Sequence, residues 1–464
     1  MYSGDLMNTT VQLDYQAILA NSARPVHLAF QFTAPATAGH RERPIAFSLV
    51  LDRSGSMQGP PLDAALRASK VVVQNLRRED SFSLVIFDDT AEVVIPMGPV
   101  INKQNVCDRI DGIHTGGATN LTGGWMLGRD ELRGTPTGTM RRQLLLTDGL
   151  LNRGIIEPSQ VKQVVTDGLE RDGIRTSTLG FGDGYNEDLL STLAQATGGA
   201  FYDANLADKL PEIFNSELEG LQKVAVQNLR LRFKALAFFD GIRSLGNYHE
   251  VKLLDGRSEY PVGDLMAEEE RVSVFALSVL PIPLIASTAT PAASLDGEEL
   301  VEVEILYDEI SPAGITSHSE RHTIRVRPTQ SSNDIKINED VLRWVSAQQA
   351  AEILNQALIL RDSGDLDGAK KMLNAGIARL KAYACDAGIA DGLKLLEAAL
   401  AGLEDSNEYI RSRKSLRGMQ ASYSKMSSSD VWMSEEDAPA FKRPRRNTPP
   451  AAKPSEPNPP KPQP

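Results

Sequence analysis

A chain of 464 residues has room for about three domains of 100 to 200 residues each, and hydrophobic and charged fractions of 41% and 24% exclude a chain disordered throughout. The formal net charge of −12 is unevenly spread, because residues 441–464 hold six Lys or Arg against one Glu and so leave −17 on the rest. That acidic body argues against a broad nucleic-acid surface, which needs a basic patch or stripe.

The start, "MYSGDLMNTTVQLDYQ", has neither a basic opening nor an apolar core, so no secretory signal is visible. The stretch "VHLAFQF" alternates as a strand does, and residues 1–43 read as strands that join a later β-sandwich. From residue 44 to 221 strands alternate with helices. Ile45 to Leu51 is a near-continuous apolar run, as a buried parallel strand is, and a helix near Leu62 to Leu76, "SFSLVIF" and "AEVVI" follow. Helices near residues 102–110 and 122–133 lead to the strand "RRQLLLT", a helix over Pro158 to Asp172, "RTSTLGFG", a helix over Asn186 to Ala196, "GAFYDA" and a last helix ending near Leu221. This pattern predicts an α/β doubly wound, mostly parallel, Rossmann-like sheet.

Residues 222–330 change to short strands with turns, such as "RVSVFALSVL" and "ELVEVEILYDEI", and predict a β-sandwich. If the early strands pair with these, the α/β region is an insertion into the sandwich. The apolar run Val274 to Ser287 contains two prolines and is too short to span a bilayer. Residues 335–410 form a helical region, with "SGDLDG" joining two helices either as one pair of a tetratricopeptide-like array or as a plain helical cap. Residues 411–464 read as a flexible, Pro-rich basic tail. Only Cys107 and Cys385 are present, without metal-ligand spacing, and the expectation is a reduced cytoplasmic protein.

The chemistry concentrates at strand ends. In "AFSLVLDRSGSMQG" the buried strand runs into Asp52, and the neutral hydroxyls of Ser54 and Ser56 follow on a turn that Gly55 lets bend. The carboxyl ends of strands are where open α/β sheets place their sites. Half of an oxygen-ligand cage is the reading; helix capping by the same hydroxyls is the alternative. "HTGGATNLTGG" brings Thr119 after glycines, and "LLLTDG" sets Asp148 at the end of another apolar strand.

Taken together, "DRSGS", "GGATNL" and "LLTDG" resemble the von Willebrand factor type A domain and its metal-ion-dependent adhesion site, over roughly residues 44–220. The resemblance implies that Ser54, Ser56 and Thr119 are metal ligands, with Asp52 and Asp148 acting directly or through bound water. Two carboxylates with three neutral hydroxyls suit Mg²⁺, or another divalent cation such as Mn²⁺ or Ca²⁺. They leave it one strong ligand short, so that a partner's Glu or Asp can complete the sphere. The longer matches "VLDRSGSM", "LLLTDGLLNRGI" and "FGDGYNEDLLSTLAQATGGAFYDA" resemble the bacterial branch related to inter-alpha-trypsin inhibitor heavy chains and calcium-activated chloride channel homologues. That likeness implies a Mg²⁺-dependent interaction module or scaffold with a MoxR-type AAA+ ATPase as a partner; with the cytoplasmic setting, short apolar runs and acidic charge read above, the expectation is a cytoplasmic assembly with neither membrane nor nucleic acid as a partner.

The opposing reading is a metal-dependent hydrolase that uses the cation as Lewis acid. It needs a general base near the metal, and only Asp88 and Asp89 in "FDDT" offer one, in what reads as a solvated turn. The six histidines form no metalloprotease or triad motif, and His318 and His322 lie in a turn-and-strand context where their spacing is not diagnostic. No catalytic residues are assigned, and a non-enzymatic binder is the expectation.

Overall fold

The computed structural model describes residues 6–36, 44–136, 139–149, 152–181, 185–204, 209–246, 248, 250–284, 297–311, 314–382, 390–403 and 426. Residues 411–425 and 427–464, with the expected basic tail, lie outside them.

The chain opens with strands β1 (Asn8–Leu13), β2 (Ala17–Leu19) and β3 (Arg24–Thr33). The α/β region follows with β4 (Ile45–Asp52), α1 (Pro60–Asn75), β5 (Ser81–Phe87), β6 (Ala91–Pro99), α2 (Lys103–Asp111), α3 (Leu121–Arg133) and β7 (Met140–Thr147). It continues through α4 (Pro158–Asp172), β8 (Arg175–Phe181), α5 (Glu187–Ala196), β9 (Phe201–Ala204) and α6 (Leu210–Gln222). Its sheet runs in the order β6-β5-β4-β7-β8-β9, parallel except for the antiparallel edge strand β6. The order reverses at β4, which puts the switch point of this Rossmann-like sheet beside the end of that strand. Every residue of β4 is buried, because helices cover both faces of the sheet. Leu49, Leu51, Leu144 and Phe214 pack on one face, and Val50, Val85, Leu145 and Trp125 pack on the other.

The second strand-rich region comprises β10 (Val224–Ala235), β11 (Phe239–Ser244), β12 (Val251–Lys252), β13 (Ser258–Met266), β14 (Glu270–Val279), β15 (Glu298–Ser311) and β16 (Gly314–Thr329). These strands form a four-stranded sheet, β1-β3-β14-β11, and a six-stranded one, β12-β13-β10-β15-β16-β2. The early strand β3 pairs antiparallel with β14 along its whole length, from Arg24 opposite Val279 to Thr33 opposite Glu270. The α/β region therefore sits between two strands, β3 and β10, of one sandwich. Between the sheets the rings of Phe233 and Tyr260 each lie 5.0 Å from that of Phe275. Two strands escape a reading by pattern: β11, "FDGIRS", has no apolar alternation, and β2 is only three residues long.

Helices α7 (Glu339–Asp362), α8 (Leu366–Ala382) and α9 (Ala390–Gly402) complete the described chain. Asn338 caps α7 by accepting from the Val341 N–H. Leu354, Leu373 and Leu396 of the three helices join Val272 and Val274 of β14 in one apolar cluster, so the helices cover the outer face of the four-stranded sheet.

Candidate functional site

The cluster forms at the carboxyl ends of β4 and β7, which are adjacent strands. Leu51 stands opposite Leu146, so the next residues along, Asp52 and Thr147, come side by side. Asp52 is fully buried. Its Oδ1 accepts the Ser54 N–H at 2.8 Å and its Oδ2 accepts the Thr147 hydroxyl at 2.5 Å. The turn after β4 returns the two serines above this floor, with Ser54 Oγ 3.2 Å from Ser56 Oγ. Ser56 Oγ donates to Asp148 Oδ1 at 2.7 Å across 92 residues of sequence. Ser54 is buried, Asp148 half-buried and Ser56 exposed, so the donor set climbs from the sheet toward solvent.

Thr119 reaches the same place on the loop before α3. A Cβ placed on Gly149 would stand 3.4 Å from Ser56 Oγ and 3.5 Å from Thr119 Oγ1, so these two hydroxyls flank one glycine. Asn152 fixes the loop by accepting the Thr119 N–H at 2.7 Å, and the N–H groups of Asn152 and Arg153 return to the Thr119 carbonyl. The Gly55 N–H donates to the Gly117 carbonyl, and the Gly116 N–H to that of Arg53. The structure thus brings Asp52, Ser54, Ser56, Thr119 and Asp148 into one cluster.

Helix capping does not account for the three hydroxyls. Ser54 stands before a short 3-10 turn, Gly55–Met57, yet makes no capping hydrogen bond, and the residue before α1 is Gly59. The cap of α3 is Asn120, whose side chain accepts from the Gly123 N–H, rather than Thr119.

Burial sets the electrostatics. Desolvation pushes the Asp52 carboxyl up to about 6, against the bonds from Thr147 and Ser54, and the charge of Asp148 adds to the rise. Burial also raises Asp148, against the bond from Ser56. Two acids held together, one fully buried and the other half-buried, favour a cation between them. Among the described residues no group of three or more His, Cys, Asp and Glu gathers, so a cation here would rest on hydroxyls and two carboxylates. That oxygen-only set fits a hard divalent ion and leaves room for water or a further carboxylate.

Pattern reading missed Thr147, Asn152 and the part played by the "FDDT" turn. Asp88 is buried rather than solvated: Oδ2 lies 2.9 Å from the Arg53 guanidinium, Oδ1 accepts the Thr90 N–H, and its carbonyl accepts the Asn120 N–H. It braces the threonine loop and is committed to Arg53. Asp89 is exposed and faces Arg153 at 3.2 Å. His114 is exposed beside the loop, while His318 and His322 lie on β16, the former stacked on Tyr307 at 5.0 Å.

Residues 48–216 match the family model of the von Willebrand factor type A domain. The uncharacterized protein sll0103 of Synechocystis sp. is 27% identical over 359 residues, which are 75% of this chain and 81% of that protein. Inter-alpha-trypsin inhibitor heavy chain H1 of Mesocricetus auratus is 24% identical over 265 residues, and the match takes in 53% of this chain but only 27% of that one. A solved von Willebrand factor type A structure from Catenulispora acidiphila superposes with a TM-score of 0.65 at 19% identity, covering 86% of this chain and 91% of that one. The shared fold therefore extends beyond the α/β region. No helix among the described residues is long and apolar enough to cross a membrane.

Proposed function

Because the chain carries a von Willebrand factor type A domain, a domain that typically mediates protein–protein interaction, we propose that its strand-end cluster is a metal-ion-dependent adhesion site. Through it, the protein acts as a Mg²⁺-dependent, non-enzymatic interaction module. The observation that carries this reading is that Ser54, Ser56 and Thr119 converge on Asp52 and Asp148 although none of the three hydroxyls caps a helix. A divalent cation held there supplies an open coordination position for a carboxylate of the partner. The chain's own residues do the rest. Asp52, held by Thr147 and the Ser54 N–H, forms the fixed anionic floor; Ser56 and Asp148 form the rim; Asn152 and Asp88 hold the Thr119 loop against it.

A partner's Glu or Asp approaching Asp52 and Asp148 is repelled unless positive charge lies between them, so metal and partner bind together. The two carboxylates the hydrolase reading would use as its base are each engaged by a guanidinium, Asp88 by Arg53 and Asp89 by Arg153. The inferred setting is a cytoplasmic assembly, and the partner class the family likeness suggests is a MoxR-type AAA+ ATPase. Calorimetric titration with Mg²⁺, Mn²⁺ or Ca²⁺ tests the site: the wild type binds, while Asp52→Ala and Asp148→Ala do not. Capture of the ATPase with and without EDTA tests the partner. Wild-type Mg²⁺ titration by both variants would remove the cage from consideration, and capture that persists in EDTA would place recognition elsewhere.

A further inference from the structure

Among the described residues, two strand edges of the sandwich lie open on one side. β1 is the outermost strand of the four-stranded sheet. In the six-stranded sheet, β2 covers only Arg327 to Thr329 of β16, so among the described residues the outer edge of β16 before that point carries no strand. The two edges face a common cleft of about 660 Å³, with Val11, Gln12 and Leu13 on one side and Thr323, Ile324 and Arg325 on the other. A bond from Asn338 Nδ2 to Gln12 Oε1 and the bridge between Tyr15 and Ile337 tie the start of the helical region to the β1 side.

The charge in this cleft runs against that of the chain. Arg325, Arg327 and Lys336 line it, against Asp334 as the one acid, in a protein of net charge −12. Arg325 is paired with Glu299, but Arg327 and Lys336 are exposed and have no ion-pair partner among the described residues. Asp334 accepts a hydrogen bond from Thr329. Along β16 the side chains alternate, with Ile324 and Val326 buried and Thr323, Arg325 and Arg327 exposed.

We propose that this cleft is a strand-addition site for an extended acidic segment of a partner protein. Open backbone donors and acceptors on β16 are a template for one more strand, and main-chain bonds give such a complex its affinity. Alternate side chains give the specificity: one set meets Val11, Leu13 and Ile324, and the other, acidic, meets Arg325, Arg327 and Lys336. The same cations disfavour edge-to-edge pairing of two copies, because like charges would meet across the new ladder. An acidic partner is therefore favoured over a second copy. This site lies on the sandwich and does not depend on the strand-end cluster.

The test uses the full chain and a fluorescein-labelled octapeptide of alternating Val and Glu. Its binding should be saturable, unchanged in EDTA, and at least tenfold weaker in three arms. These are an Arg327→Glu/Lys336→Glu double variant, a peptide with Lys in place of Glu, and a peptide N-methylated at every residue, which cannot donate to the ladder. Both substituted positions are exposed, and an unchanged circular dichroism melt will show that the variant folds. Hydrogen exchange should show new protection along β16. Absence of binding, binding that survives N-methylation or charge reversal, protection confined to other strands, or peptide-independent dimers that block the cleft would each overturn the proposal.

Discussion

Replacing Asp52 by Asn separates the cost of the buried charge from its use. The folded protein holds the Asp52 carboxyl at about 6 against 3.8 for the free side chain, a difference that corresponds to about 3 kcal/mol. The sign follows from the direction of the shift. A carboxyl raised in the folded state prefers to be protonated there, so its contribution is fully present below about pH 4 and is lost as pH rises through about 6. At pH 7, without metal, the ionised Asp52 therefore weakens the fold by about that amount, and Asp148, also raised by burial, acts in the same direction. The amide of the Asp52→Asn variant carries no charge to desolvate. The stability of the variant relative to the wild type in EDTA should climb by about 3 kcal/mol in all, most of it between pH 4 and pH 7.

Adding Mg²⁺ at pH 7 should close most of that gap. A ligand at one hundred times its dissociation constant adds about 2.7 kcal/mol to the wild type, and nothing to a variant that has lost the ion. Urea unfolding followed through Trp125, buried in the α/β core, reads both effects. Taking the difference between the two proteins at each pH cancels the titration of groups that do not interact with Asp52 and leaves only its own titration and its coupling to Asp148. A difference flat across this pH range, or equal gains from Mg²⁺ in both proteins, would refute the argument that a desolvated carboxylate is held ready for a cation.

Thr147→Val removes the hydroxyl donor from Asp52 while keeping shape, so the carboxyl should rise further and Mg²⁺ affinity fall about tenfold, measured by calorimetry. Gly116→Ala places a Cβ 1.9 Å from Asp88 Oδ2, which must swing away from Arg53; the threonine loop should loosen, seen as faster amide exchange at Asn120 and weaker Mg²⁺ binding with the fold retained. Asp264→Ala strands Arg175, a buried guanidinium at the junction of the α/β region and the sandwich. It should cost about 3–5 kcal/mol in chemical denaturation, whereas removing both charges as Arg175→Leu/Asp264→Leu should cost clearly less. A smaller effect from the single change than from the double would contradict burial as the cause.

Much of this site is legible in the sequence because its parts are local. The apolar run of β4 ending in Asp52 announces a central strand and a residue at its carboxyl end, and the same signal repeats at Asp148. The illegible part depends on register between strands far apart in sequence. Thr147 lies beside Asp52 only because β7 pairs with β4 with Leu146 opposite Leu51; a one-residue slip would turn Thr147 to the other face of the sheet. "LLLTDG" gives no sign of that pairing, so its threonine passes as one more strand residue while the aspartate draws notice. Asn152 is hidden for the same reason, since its contact with Thr119 spans 33 residues.

Asp88 shows a different failure, one of environment. Two adjacent acids in a turn between strands read as solvated, and that holds for Asp89 but not for Asp88. Burial of Asp88 needs a cation brought to it, and Arg53 supplies one from the loop that also carries Ser54 and Ser56. The two loops of the cluster are thereby braced through one ion pair: Arg53 on the serine side, and on the threonine side the Asp88 carbonyl that holds the Asn120 N–H. Charge and backbone of a single residue thus tie both halves of the cage to the end of β5. A carboxylate that reads as spare, and so as a candidate base, is instead committed to holding Thr119 beside Ser56.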